Sequence, residues 1–331
     1  MKVGLIGAGL QARRRARALN GAELAIIAAA NLDEAKLLAD EMGCEATANW
    51  EEVVKRKDVE VVIVCTPPHL HAPMSIAALR SGKHVLCEKP LARVPEEAEE
   101  IVSVARENKM KLKCGFNLRH HRGIRQAREW MDQGTIGELG FIRCRYGICG
   151  RPGYEKDWRA DRETAGGGQL MDQGMHILDL SRWFMGEFRE AFGFLCTQFW
   201  DIAPLEDNAF ALLRTEKGQI ASLHASWTQW KNLFSFELFG QDGYIIVEGL
   251  GGSYGTERAT LGKRAFLEPF REEFIEFRGE DLSLSEEWHE FVAAIDEDRE
   301  PPGNGYDGLQ ALKLACAVYE SAEKGAVVKL S

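Results

Sequence analysis

Lys2-Val3-Gly4-Leu5-Ile6-Gly7-Ala8-Gly9-Leu10-Gln11-Ala12 opens the chain as a short apolar strand, a glycine turn and the first turn of a helix. The spacing is Gly-x-Gly-x-x-Ala. Gly7 permits the tight turn, Gly9 lets the backbone approach a pyrophosphate, and the small Ala12 allows the helix to lie close on the strand. The amides of Leu10 and Gln11 at the helix start are then available to phosphate oxygens.

Strands and helices alternate from there. Residues 24–30 read as a buried strand, 33–42 as a helix with Gly43 past its end, 50–57 as a short helix and 59–65 as the most apolar strand. The turn Thr66-Pro67-Pro68-His69-Leu70-His71 leads to a helix at 73–81, a strand at 84–87, the tripeptide Glu88-Lys89-Pro90, a helix at 95–108 and a strand at 111–116. A Rossmann-type, doubly wound parallel α/β sheet with right-handed crossovers explains this order. Its ligand belongs outside the carboxyl ends of the strands, where Gly7, Gly9, Leu10, Gln11, Ala29, Asn31, Thr66, Pro67, His71, Glu88, Lys89 and Asn117 fall, and these are the candidate cofactor contacts. An ammonium at Lys89 is suited to stabilising an alkoxide, and a cis peptide to Pro90 would hold it in place.

A second organising stretch is 166–179, Gly-Gly-Gly-Gln-Leu-Met-Asp-Gln-Gly-Met-His-Ile-Leu-Asp. Three glycines suggest a flexible, sterically open approach to a helix that starts just after Gly168, since the apolar residues beyond recur at helical spacing. Asp172, His176 and Asp179 then stand at i, i+4 and i+7 on one face. A carboxylate one turn from a histidine is the arrangement that general acid/base chemistry uses. The preceding loop carries Trp158 and Arg159, an aromatic and a planar donor placed for substrate, and Arg119 is a weaker candidate of that kind.

At 331 residues the chain is long enough for two domains, and its formal charge of -10 argues against a polyanionic partner such as nucleic acid, the short basic run Arg13-Arg14-Arg15 notwithstanding. No apolar run approaches the ~18 residues of a membrane span, and no secretory signal is recognisable. The 8 cysteines lack Cys-x-x-Cys spacing and read as thiols of a cytoplasmic protein. A lone His-Asp pair offers no three-ligand set, so no metal is expected.

Gly-x-Gly-x-x-Ala at residue 7, Thr66-Pro67 with His71, Glu88-Lys89-Pro90, Gly115-Phe116-Asn117 and Gly-Gly-Gly-x-x-x-Asp172-x-Gly-x-His176-x-x-Asp179 together resemble the glucose-fructose oxidoreductase, inositol dehydrogenase and MocA (Gfo/Idh/MocA) family across the whole chain. The resemblance implies a nicotinamide-binding domain at 1–119 and a substrate-binding and oligomerisation domain at 120–331, an α+β domain with a large open, mainly antiparallel sheet, leaving the C-terminal helices free to pack back on the first domain. It further implies NAD(P)-dependent oxidation or reduction of a secondary hydroxyl or ketone on a sugar, sugar derivative or cyclic polyol. In such enzymes the residues at Lys89, Asp172 and His176 serve catalysis, histidine as the usual base. Two alternatives stand beside it: a glycoside hydrolase that uses the cofactor for transient oxidation and elimination, and a non-catalytic dinucleotide-binding regulator.

The second half agrees with this architecture on its own pattern. After a helix at about 121–133, segments 139–149, 190–199, 208–215, 219–227, 233–239, 244–248 and 273–277 read as six or seven strands, and 286–298 and 306–324 as two helices split by Pro301-Pro302-Gly303. Alternation puts His224 on the more polar face, where it reads as structural. Phe194, Leu195, Phe199, Trp227, Trp230, Phe234, Phe236, Leu238 and Phe239 supply more apolar surface than one helix layer covers, which predicts a homodimer or homotetramer joined through the sheet. For the cofactor, no carboxylate stands at residues 28–31 to bind a ribose 2′-hydroxyl, Asp33 is too far along, and Asn31 with Glu34 forms a helix-capping pair. Only Arg13 or Arg14 could reach a 2′-phosphate. Both NAD and NADP are therefore expected, with NADP weakly favoured.

Overall fold

The computed structural model describes residues 1–330, in two compact units. The first comprises Met1–Asn117, Glu163–Gly166 and Leu282–Leu312; the second comprises Leu118–Arg162, Gly167–Asp281 and the chain from Lys313 onward.

In the first unit β1 (Lys2–Ile6), β2 (Glu23–Ala28), β3 (Glu45–Thr47), β4 (Val61–Val64), β5 (His84–Cys87) and β6 (Leu112–Cys114) form one sheet in the order β3-β2-β1-β4-β5-β6. All five pairings are parallel. Helices α1 (Leu10–Arg17), α2 (Leu32–Met42), α3 (Trp50–Lys55), α4 (His71–Arg80) and α5 (Pro95–Glu107) make the crossovers, so this is the doubly wound α/β sheet that the sequence predicts. Four consecutive buried β-branched residues make β4 a central strand. Asn31 caps α2 by accepting from Asp33 N at 3.0 Å, and Gly43 ends it at φ +71°, a conformation that other residues avoid. The edge strand β3, three residues long, is absent from the sequence reading.

The second unit holds α6 (Arg122–Asp132), a short turn of helix in the first unit, α7 (Arg162–Ala165, its last three residues), intervening, and then α8 (Met175–Met185). Its sheet has nine strands: β7 (Leu139–Gly147), β8 (Phe188–Cys196), β9 (Asn208–Thr215), β10 (Ile220–Ser226), β11 (Leu233–Gly240), β12 (Gly243–Glu248), β13 (Glu257–Lys263), β14 (Glu272–Phe277) and β15 (Val328–Lys329). The order is β14-β13-β12-β11-β7-β10-β9-β8-β15, antiparallel throughout except for the parallel pair β7 and β10. Nine strands replace the expected six or seven because β13, charged at both ends, and the two-residue β15 carry no clear alternation.

One face of this sheet lies against helix. Phe234, Phe236 and Leu238 of β11 are buried there, and Phe184 of α8 meets Phe236 edge-on at 5.1 Å. The opposite face presents Phe141, Phe194, Phe210, Leu212 and Ile220, all exposed, around Arg143, Arg145 and Glu237. The expected surplus of apolar surface therefore needs correcting. Trp227, Phe234, Phe236 and Leu238 are satisfied within the unit, while Phe141, Phe210, Leu212 and Ile220 take their place on the open face.

The last two helices, α9 (Ser283–Asp296) and α10 (Gly305–Lys324), come from the end of the chain. Trp288 and Phe291 of α9 sit in the core of the first unit with Val3, Leu5, Ala12 and Ile63.

Candidate active site

The glycine turn is built for a close ligand. Gly7 has φ +122°, and a Cβ there would lie 2.5 Å from the Cys65 carbonyl oxygen, so only glycine fits. Gly9 precedes α1 with no side chain capping the helix, no acidic residue stands in its first turn, and the space where its Cβ would be is empty to 4 Å. Ala12 is fully buried against the strand. Unsatisfied amides at an open helix start, with the helix dipole behind them, suit a pyrophosphate. Ala29 gives its amide to Thr47 O at 3.2 Å. Asn31 is the cap of α2, as expected, and Arg13 lies 3.8 Å from Glu41 on that helix.

Gln11 and Glu88 are joined to each other. Gln11 Nε2 donates to Glu88 Oε1 at 3.0 Å, and Arg15 Nε donates to the same oxygen at 2.7 Å. Arg15 also pairs with Glu287 of α9, whose other oxygen is 3.6 Å from Lys113 Nζ. These four charged side chains are buried and balance two against two. Arg15 is thus buried, unlike the other members of the basic run Arg13-Arg14-Arg15. Burial pushes the Glu88 carboxyl up, but Arg15 and Gln11 outweigh it and hold the group below the ordinary carboxylate range.

Lys89 and Pro90 are joined by a cis peptide bond, as expected. His71, expected at the cofactor, is fully inside: Nδ1 is 2.7 Å from Pro90 O and Nε2 is 2.8 Å from Thr66 O. Asn117 Nδ2 donates to Ser283 Oγ at 2.9 Å, and Thr66 Oγ1 faces Met74 Sδ at 3.7 Å. Pro67 precedes a single 3-10 turn, Pro68–Leu70, that runs into α4.

In the second unit the helix carrying His176 begins where the sequence puts it, but its first turn, Leu170–Gly174, is a π turn before α8 proper. This wider turn separates Asp172 from the regular helix that holds His176 and Asp179, so the single-face reading does not extend to it. The glycines before it are also not an open approach. A Cβ on Gly168 would strike Glu206, and one on Gly167 would strike the Tyr319 hydroxyl, so these residues are small because the chain is crowded. Glu206 caps the helix start: Oε1 accepts from Leu170 N at 2.9 Å and from Tyr319 Oη at 2.7 Å, while Oε2 accepts from Gly168 N at 3.2 Å. Burial raises the Glu206 carboxyl above its ordinary value despite those bonds. Neither Glu206 nor Tyr319 has a local sequence signal, for they lie 36 and 151 residues from the amides they serve.

His176 is buried, with the Tyr146 ring 6.1 Å away and edge-on. Tyr254 accepts from Gln173 Nε2 at 3.2 Å and its ring centroid lies 5.7 Å from that of Tyr146. Asp172, a quarter exposed, has Arg159 Nε at 3.5 Å. Arg159 in turn lies over the Trp158 ring at 4.2 Å and bonds Asp157 Oδ1 at 3.1 Å. Trp158, Arg159 and Asp172 therefore form one cluster, whereas Arg119 is placed elsewhere. It is buried, and its guanidinium grips Asp179 with Nε at 2.7 Å and Nη2 at 2.5 Å while covering the Trp183 ring. Asp179 accordingly braces α8.

Comparison with known proteins agrees with both halves. Residues 1–116 match the family model described as an oxidoreductase family with an NAD-binding Rossmann fold, and residues 124–246 match the GFO/IDH/MocA C-terminal domain. The levoglucosan dehydrogenase of Pseudarthrobacter phenanthrenivorans is 26% identical over 98% of this chain and 96% of its own. The inositol 2-dehydrogenase of Rhizobium meliloti is 28% identical over 98% of each. A dTDP-3,4-didehydro-2,6-dideoxy-alpha-D-glucose 3-reductase of Actinomadura kijaniata reaches 34% over 67% of each chain. A solved structure of levoglucosan dehydrogenase with NADH and levoglucosan superposes with a TM-score of 0.91, at 26% identity, over 100% of this chain and 99% of that one.

Proposed function

The chain belongs to the Gfo/Idh/MocA oxidoreductase family, and from that premise we propose how its residues interconvert a secondary hydroxyl and a ketone on a sugar, sugar derivative or cyclic polyol. The nicotinamide, when bound, takes or returns the hydride. The amides after Gly9 hold its pyrophosphate. His176 accepts the hydroxyl proton as the carbon is oxidised, and returns it in reduction. Lys89 stabilises the negative charge that develops on that oxygen, and Asp172 with Arg159 and Trp158 orients the substrate's remaining hydroxyls. The observation that carries the reading is the uncapped start of α1 beside a glycine turn that tolerates no side chain.

We infer further that two or four copies associate through the open sheet face, which exposes Phe141, Phe194, Phe210, Leu212 and Ile220 together. The 8 cysteines are thiols, which fits a reducing compartment and the cytoplasm in particular. Among the described residues no helix is long and apolar enough to cross a membrane.

A screen of inositols, hexoses, anhydrosugars, amino sugars and sugar nucleotides with each oxidised cofactor, followed by absorbance of the reduced nicotinamide, tests the activity. Turnover of one of these supports it. Cofactor-dependent release of an aryl group from an aryl glycoside, with no net nicotinamide reduction on any polyol, overturns it in favour of hydrolysis.

A further inference from the structure

We propose that His71 is a positioning residue for Lys89, held as an imidazolium between the ends of two strands. Thr66 lies just past β4, and Lys89 with Pro90 just past β5. The His71 ring, 1% exposed at the start of α4, reaches the main-chain oxygens of Thr66 and Pro90 at 2.8 and 2.7 Å. A carbonyl oxygen only accepts, so each contact is a hydrogen bond only where the facing nitrogen bears a proton. The neutral ring has one such nitrogen. Its other nitrogen would aim a lone pair at an oxygen lone pair, with water excluded. Both separations instead match those of charge-assisted N–H···O bonds.

Burial pulls the imidazole below its ordinary value, against the two carbonyls and Glu88, which favour the cation, while Lys89 opposes it. The geometry decides between them. Desolvation penalises a charge that lacks partners, and here each N–H of the cation has one, whereas the neutral ring strands a buried nitrogen. The brace thus sets the place of Lys89, through the Pro90 carbonyl that follows it. It rests on reading Lys89 as catalytic, yet its test uses no substrate and so stands or falls apart from that reading.

Long-range nitrogen–proton spectra of the full chain, labelled at histidine and assigned through bonds from the backbone, read the ring directly. Both His71 nitrogens are expected to resonate as N–H at neutral pH; one bare, pyridine-like nitrogen overturns the proposal. The placement of Lys89, followed at neutral pH by the carbon signal of its reductively methylated amine and assigned with Lys89→Arg, gives the second readout. His71→Gln keeps a donor for one carbonyl but no charge, and should move that signal while the other lysine signals stay in place. A Lys89 signal that stays at its wild-type position overturns the link to Lys89. Should that variant not fold, the wild-type ring spectrum alone decides.

Discussion

His176 sits buried beside the Tyr146 ring, so a proton taken by its imidazole is held away from bulk water. His176→Ala should therefore lower kcat by ~100-fold to 10,000-fold while leaving cofactor affinity nearly unchanged, because the lost base acts in the transition state and not in dinucleotide binding. Turnover near wild type on the true substrate refutes the assignment, and Lys89→Ala should do comparable damage. Cofactor choice is decided at the same scale. Asn31 is engaged in capping α2, no carboxylate follows β2 directly, and Arg13 leans toward Glu41. With no repelling acid directly after β2, and with Arg13 drawn toward Glu41, NAD and NADP should bind within about a hundredfold of each other, or ~2.7 kcal/mol, in a fluorescence titration. A much larger preference for NAD would mean that Asp33 contacts the ribose. The reading of Lys89, Asp172 and His176 rests on motifs that are short and local. The buried partners of Arg15 have no local signal: Glu287 is 272 residues away, and nothing in the run of three arginines singles out the one to which the fold brings carboxylates.

The helix of His176 owes its position to an unlike neighbour. Glu206 supplies two carboxylate oxygens to its first amides, yet burial raises the carboxyl above its ordinary value. A folded state that holds a carboxyl above its unfolded value is favoured when the group is protonated. Its contribution is complete below the ordinary carboxylate value and declines as pH rises through the raised one. Glu206→Gln does not titrate and loses a bond at the helix start, at a cost of ~1–3 kcal/mol at low pH. The stability gap between wild type and this variant should narrow as pH climbs from about 4 toward neutrality; denaturant melts that show it widening contradict the account. Elements of this kind divide cleanly in legibility. The apolar run of β4 and the alternation of β10 declare themselves, whereas no local pattern encodes the π turn at Leu170–Gly174 or the crowding of Gly167 and Gly168 against Tyr319 and Glu206.

At the scale of the whole molecule, the open sheet face predicts association. Light scattering at micromolar concentration should give a dimer or tetramer, and Phe194→Glu, at a side chain 64% exposed in isolation, should shift it toward monomer without loss of helix signal. A wild-type monomer counts decisively against the interface. The first unit, for its part, is not continuous in sequence, since α9 lends it Glu287, Trp288 and Phe291. A chain cut after residue 120 leaves Arg15 and Lys113 without their shared carboxylate and the core without two aromatic side chains, so it should neither fold cooperatively nor bind dinucleotide; a sharp melt of that fragment would disprove this. The same feature sets a timetable during synthesis. In a nascent chain Glu88 follows Arg15 early, but Glu287, its second carboxylate, comes 272 residues later, about 14–54 s at ~5–20 residues per second. Through that interval the dinucleotide module is unfinished, with two aromatic side chains of its core and one of its buried carboxylates still to be made.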